Sequence, residues 1–284
     1  IDVSIIITCR ENYLQRLGSL QCKFITLCLL TKEQIGNFCR IYWEKAQINK
    51  YAEEYIEKLC TLRDIVGIPL IIYMTVALEI NIVGTTDICD VYDKIFSLNG
   101  GIYDRCEYSA MGHPLTSPLK QQIHDVTKKI SIKMWTDNPE EAFILQRDYE
   151  KIIAKEDQKN VGLKNIVLIG QYFQYVKYCE GLKTEEIRFV HRSIYEYFVA
   201  LTIYDVIREY LELPNEKFSI EELKNKLLIL LQKRQLSVDI EGYLSHKIKE
   251  AMYKTSNTYR KACYGWWKEF FSSLLSHGMS IEEP

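Results

Sequence analysis

Apolar residues recur three and four positions apart along most of this chain, in stretches long enough to be the helices of a globular protein. The spacing predicts a helix after Thr31, with Thr31 as cap and Gln34 closing a capping box, running to about Ala46. A second helical pattern covers Tyr51 to Val66. Gly67-Ile68-Pro69 then supplies a glycine suited to ending one helix and a proline suited to opening the next. Asp87 to Ser97 reads as a helix stopped by Asn99-Gly100-Gly101, and Tyr103 to Ser117 as a loop. Helices are predicted from Leu119 to about Trp135 and from Pro139 to about Lys155, with a short one over Val161 to Gly170.

Two places break the helical period. Val3 to Arg10 is a β-branched run that reads as a buried parallel strand with Arg10 at its carboxyl end. Tyr172 to Cys179 and Glu185 to Val190 read as the strands of a hairpin turning at Gly181. Beyond them the pattern is helical again. Phe189 to about Leu213 is closed by Pro214, Ser219 caps a helix reaching Gln235, and further helices cover Asp239 to Lys254 and Asn257 to His277. The fold class expected is mainly α with a small β component, and the aromatic stripe Trp266, Trp267, Phe270 and Phe271 reads as core or as a face that meets a further domain.

Composition narrows the function classes. With 284 residues, 47% hydrophobic and 26% charged, the chain can bury a substantial core and divides into two or three small domains. A net charge of -2 offers no basic field for nucleic acid. The nine cysteines form no Cys-x-x-Cys pair, which favours reduced thiols in a cytoplasmic protein. His113, His124, His246 and His277 are isolated, so no metal site is read from spacing. The apolar stretch Ile65 to Gly84 is interrupted by Pro69, Glu79 and Asn81, so it is expected to be a buried helix and not a membrane span. A signal peptide is not expected, because the first apolar run is short and lacks a basic leader. No Gly-x-x-x-x-Gly-Lys-Ser/Thr loop occurs, and no apolar strand ends in paired magnesium-binding acids.

The stretch Phe189-Val190-His191-Arg192-Ser193-Ile194-Tyr195-Glu196-Tyr197-Phe198 places a histidine where a strand runs into a helix. At helical spacing Ile187, His191, Ile194, Phe198 and Leu201 share a face, which turns the imidazole inward. Pattern alone reads this as a core histidine bonded to a carbonyl. A sharper reading comes from likeness. The string, together with Thr8-Cys9-Arg10 and Gly67-Ile68-Pro69, resembles the closing part of the nucleotide-binding module in NACHT-family signal-transduction NTPases. It covers about the first two hundred residues and is weak in the tail.

The resemblance implies an order of parts: the last strand region of a P-loop α/β core over 1–16, a first helical domain over 17–86, a winged-helix domain over 87–213, and a helical tail like a second helical domain over 214–284. It implies that Arg10 senses a terminal phosphate, that the ring of Pro69 lies against adenine, and that His191 bonds a phosphate of ADP. Cys9 stands where the family pattern has serine. ADP or ATP would be the cofactor, with Mg supplied by the missing portion of the site. The implied partners are that preceding nucleotide-binding core and, in the active state, further copies of the protein, in immune or antiviral signalling. The parent protein would be an ATPase, and this chain is expected to be inactive alone. Two rival readings stand beside it. One is a helical scaffold or interaction module that never meets nucleotide. The other is a DNA-reading winged helix, weakened because Val161 to Phe173 offers only Lys164 as a base.

Overall fold

The computed structural model describes residues 28–48, 53–62, 67–82, 87–105, 115–157, 173–177, 185–211, 220–231 and 236–254. The expected strand ending at Arg10, the helix over Val161 to Gly170, the hairpin turn at Gly181, the cap at Ser219, and the aromatic stripe and helix after Lys254 lie outside the described residues.

Helix α1 (Lys32–Lys45) opens on the expected capping box, in which the Gln34 N–H donates to Thr31 Oγ1 at 3.2 Å and the Thr31 N–H donates to Gln34 Oε1 at 2.8 Å. Its stripe Ile35, Cys39 and Trp43 is buried against α2 (Glu53–Thr61), which contributes Ile56 and Leu59. Pro69 then opens α3 (Pro69–Ala77), with Ile68 extended at the cap. The apolar run is therefore a buried helix of 9 residues, and no described helix is long and apolar enough to cross a membrane. Both α1 and α3 end in the same device. After α1, Ile48 N–H reaches Trp43 O and Gln47 sits at φ 55°; after α3, Ile80 N–H reaches Thr75 O and Glu79 sits at φ 49°. These are Schellman turns built without the glycine that such a backbone favours.

Helix α4 (Ile88–Ile95) is capped by Asp87 and Asp90 in a second reciprocal box, at 3.0 and 2.9 Å. It ends at Ile95 with Phe96 as its cap, ahead of the glycine pair, where Gly100 adopts φ 77° and a Cβ on Gly101 would lie 2.2 Å from Ser97 O. A short helix α5 (Ile102–Arg105) follows where the sequence predicts loop. The long α6 (Ser117–Asp137) then leads into strand β1 (Phe143–Leu145), helix α7 (Gln146–Glu156), and the hairpin strands β2 (Phe173–Lys177) and β3 (Glu185–Phe189). The three strands form an antiparallel sheet of order β1-β3-β2, with Ile187 paired to Ile144 on one side and Tyr175 on the other.

The last elements are α8 (Arg192–Leu211), α9 (Ile220–Leu231) and α10 (Val238–Lys254). Helix α8 is the hub. Residues Ser193 to Ala200 are buried on every side, because α10, α6, α9, α4 and β3 all pack on this helix. Buried side chains from Ile35 to Ile248 form one connected core. At its centre Tyr92, Phe96, Tyr197, Phe198 and Tyr243 pack as offset stacks and edge-to-face pairs, with Tyr92 and Tyr197 centroids 5.2 Å apart. The fold is thus mainly helical with one small sheet.

Two expectations are corrected. The helix predicted from Pro139 starts only at Gln146: Asn138 ends α6, its carbonyl accepts from Ala142 N–H at 2.8 Å, and the chain then pairs with β3 as a strand. The helix predicted from Phe189 begins at Arg192. Ile187 and His191 therefore do not share a helical face with Ile194, and Leu201 is only half-buried.

Candidate functional site

His191 stands between β3 and α8, half-buried, as the residue immediately before the first helical position. The Ser193 N–H donates to His191 Nδ1 at 3.2 Å, and the Ile194 N–H reaches the His191 carbonyl at 3.2 Å. The imidazole thus caps the helix, replacing the serine or aspartate oxygen that ordinarily accepts there. Accepting an N–H fixes Nδ1 as unprotonated and places the ring proton on Nε2. Ser193 Oγ lies 2.5 Å from Nδ1 and is also bonded to the Tyr92 hydroxyl of α4. With Nδ1 as acceptor the order follows: Tyr92 O–H donates to Ser193, and Ser193 O–H donates to His191. Burial pushes the Tyr92 phenol upward against the hydrogen bonds to Ser193 and Tyr243 that oppose it, so the phenol stays protonated as this relay requires.

One turn further along, Glu196 is 3% exposed. Arg192 Nε donates to its Oε1 at 3.0 Å and Arg192 also reaches the Glu140 carbonyl at 3.2 Å. Burial raises the Glu196 carboxyl; Arg192 opposes that and Asp239 adds to it. Ser193 and Glu196, the two polar members of the Ser-x-x-Glu string, therefore both face inward. Serine ties α8 to α4, and glutamate, hydrogen-bonded to Ser237, ties it to the start of α10.

Pro69 is exposed at the first position of α3. No hydrogen bond, ion pair or ring contact connects it with His191. Helix α4 packs on α3 and also on α8. Arg10 lies outside the described residues.

No family model, curated protein or solved structure matches this chain. The site is therefore read from its own geometry.

Residues that pattern alone did not single out complete it. Asp93 of α4 accepts from Tyr197 Oη at 2.8 Å and is paired with Lys247 of α10. His246, one position earlier, sets Nδ1 2.6 Å from Asp87 Oδ2 and Nε2 3.6 Å from Asp90 Oδ1. Donor atoms of Asp87, Cys89 and His246 lie within 4.8 Å of one another. Only the Ser-x-x-Glu spacing was visible beforehand. The partners on α4 and α10 are far apart in sequence and carry no local signal.

Proposed function

We propose that this chain is the regulatory, carboxyl-terminal part of a NACHT-type nucleotide-dependent switch, in which ADP holds a resting state and ATP drives self-association. The observation that carries the reading is the placement of His191: it caps α8 directly after the sheet, with its ring proton on Nε2 and its other nitrogen held by Ser193. A neutral imidazole so oriented is suited to donate to a phosphate oxygen. The element order α6, β1, α7, β2, β3 with sheet order β1-β3-β2 supports a winged helix within 87–213, preceded by a helical domain over 17–86 and followed by a helical tail over 214–284. The sequence has no P-loop motif and no apolar strand ending in paired magnesium-binding acids. A preceding core would supply both together with Mg, and the chain alone would not hydrolyse ATP. Arg10 and Pro69 are assigned to the terminal phosphate and the base. Cytoplasmic immune or antiviral signalling is the setting this reading favours.

The energetics suit a bias more than a lock. A hydrogen bond to a charged phosphate contributes roughly 1.5 to 3 kcal/mol, which moves a two-state equilibrium by about one to two powers of ten. The test uses the chain joined to its native preceding segment, purified without added nucleotide and analysed for bound ADP by chromatography of the denatured protein. Wild type should retain ADP, and His191→Leu should lose it and self-associate without ATP. A wild-type protein free of nucleotide, or ADP retention unchanged in His191→Leu, removes the assignment and leaves the helical interaction module.

A further inference from the structure

The joint between α4 and α10 gathers nitrogen, sulfur and oxygen donors that the nucleotide reading does not use. Asp87 caps α4 with Oδ1, which accepts the Asp90 N–H, and so leaves Oδ2 directed at His246. Cys89, two positions on, is 2% exposed, and its sulfur is one of the three donor atoms lying within 4.8 Å of each other. His246 comes across from α10. We propose that Asp87, Cys89 and His246 form a zinc-binding site that clamps α4 to α10, with water in the remaining position.

The donor set fits the metal. Thiolate with imidazole and one carboxylate is a borderline-soft set of the kind Zn²⁺ prefers, whereas magnesium and calcium take oxygen donors. Bonds of about 2.0 to 2.3 Å around a tetrahedral ion set neighbouring donors roughly 3.3 to 3.6 Å apart. The three donor atoms lie within 4.8 Å of one another, so small side-chain shifts bring the sulfur to that separation. The His246 Nδ1 to Asp87 Oδ2 pair, now at 2.6 Å, has to part by several tenths of an ångström, and both side chains are partly exposed and able to do so. Asp90 supplies the outer support: when Nδ1 binds the ion, the ring proton moves to Nε2, where Asp90 Oδ1 is 3.6 Å away and ready to accept it. A second grouping of Asp93, His246 and Glu250 is less suited, because Asp93 is already taken by Lys247 and Tyr197.

Binding exchanges one proton. The Cys89 thiol gives up its hydrogen to solvent as the sulfur–zinc bond forms. Because the thiol must lose its proton to bind, affinity for the ion should rise with pH.

The test titrates the full chain with zinc chloride in a phosphine reductant and repeats it with cobalt(II), whose thiolate-to-metal charge-transfer band reports sulfur ligation. Wild type should bind one ion per chain at this site, release about one proton, melt at a higher temperature with zinc and ignore magnesium. Cys89→Ser should abolish the cobalt band. His246→Gln, which leaves the buried core intact, should weaken zinc at least tenfold while keeping the melting temperature of the metal-free protein near wild type, and it decides the question if Cys89→Ser does not fold. Absence of binding overturns the proposal. So does binding that survives unchanged in His246→Gln, which would locate the ion on other cysteines. The proposal is independent of the nucleotide reading, since the site contains none of its residues.

Discussion

His124 gives the sharpest quantitative test of the packing around α8. It sits on α6 with its ring edge-to-face on Phe198, 5.4 Å between centroids, and its Nδ1 is 3.0 Å from the Tyr103 hydroxyl. Burial lowers its pKa from 6.5 to about 4, helped by the ammonium of Lys128 one turn on and opposed by Asp125 and Asp205. The folded protein therefore binds this proton less readily than the unfolded chain. Stability from the neutral ring is fully present above the unfolded value near 6.5, and it is lost as pH falls through the window down to about 4. A shift of this size corresponds to roughly 3 kcal/mol over the whole window. At pH 5 the two protonation equilibria differ by about 2 kcal/mol.

Carboxylates titrate in the same range, so the measurement is a difference. Urea unfolding of wild type and His124→Asn, which keeps a polar atom near Nδ1, is followed at pH 8 and pH 5. The variant should be less stable at pH 8 because the Phe198 packing is reduced. Between pH 8 and pH 5 wild type should lose about 2 kcal/mol more than the variant. Equal losses in the two proteins would refute the reasoning, since they would mean that the imidazole is not held neutral by the core.

Four further outcomes follow from particular side chains. Gln47→Gly and Glu79→Gly, each relieving a positive φ in a Schellman turn, should stabilise by about 0.5 to 1 kcal/mol apiece and add in the double variant, as read from thermal melts. Gly101→Ala should cost more than about 2 kcal/mol, because the new methyl collides with backbone carbonyls and not with a movable side chain; a change within a few tenths would contradict the turn. A double-mutant cycle on Tyr92→Phe and Ser193→Ala should give a coupling of about 1 kcal/mol in denaturant unfolding, and zero coupling would break the relay to His191. Asp93→Ala strands the largely buried Lys247 and removes the acceptor of Tyr197, so about 3 kcal/mol should be lost, with Lys247→Met in the same background restoring part of it.

Local chemistry was legible wherever one short segment contains both partners. Thr31 with Gln34, and the proline opening after Gly67, are such cases, and the structure reproduces both. Strand β1 was not legible, because Asn138-Pro139 carries the same signal as a helix start and the strand character of Phe143 to Leu145 comes from pairing with β3. The same limit applies to the site. Ser-x-x-Glu shows in the sequence, but that Ser193 meets Tyr92, or that Cys89 meets His246, depends on α4 lying against α8 and α10. The helical pattern also carried His191 inside the helix, whereas a cap residue has extended geometry and breaks the periodicity at that point.

Helix α4 explains why these observations belong together. Within its few residues it offers Tyr92 to the cap of α8, Asp93 to both α8 and α10, and Asp87 with Cys89 to His246. It also packs on α3, the helix that Pro69 opens. On the proposed reading, a ligand that engaged Pro69 and His191 together would act on two elements that both pack against α4, and separating them would strain the Tyr92 to Ser193 bond or move α4 with one side. The second course would pull on Lys247 and His246 as well. On the proposed nucleotide reading, occupancy would be coupled to the α4–α10 joint through this packing, and a metal bound there would favour whichever state keeps α4 and α10 together.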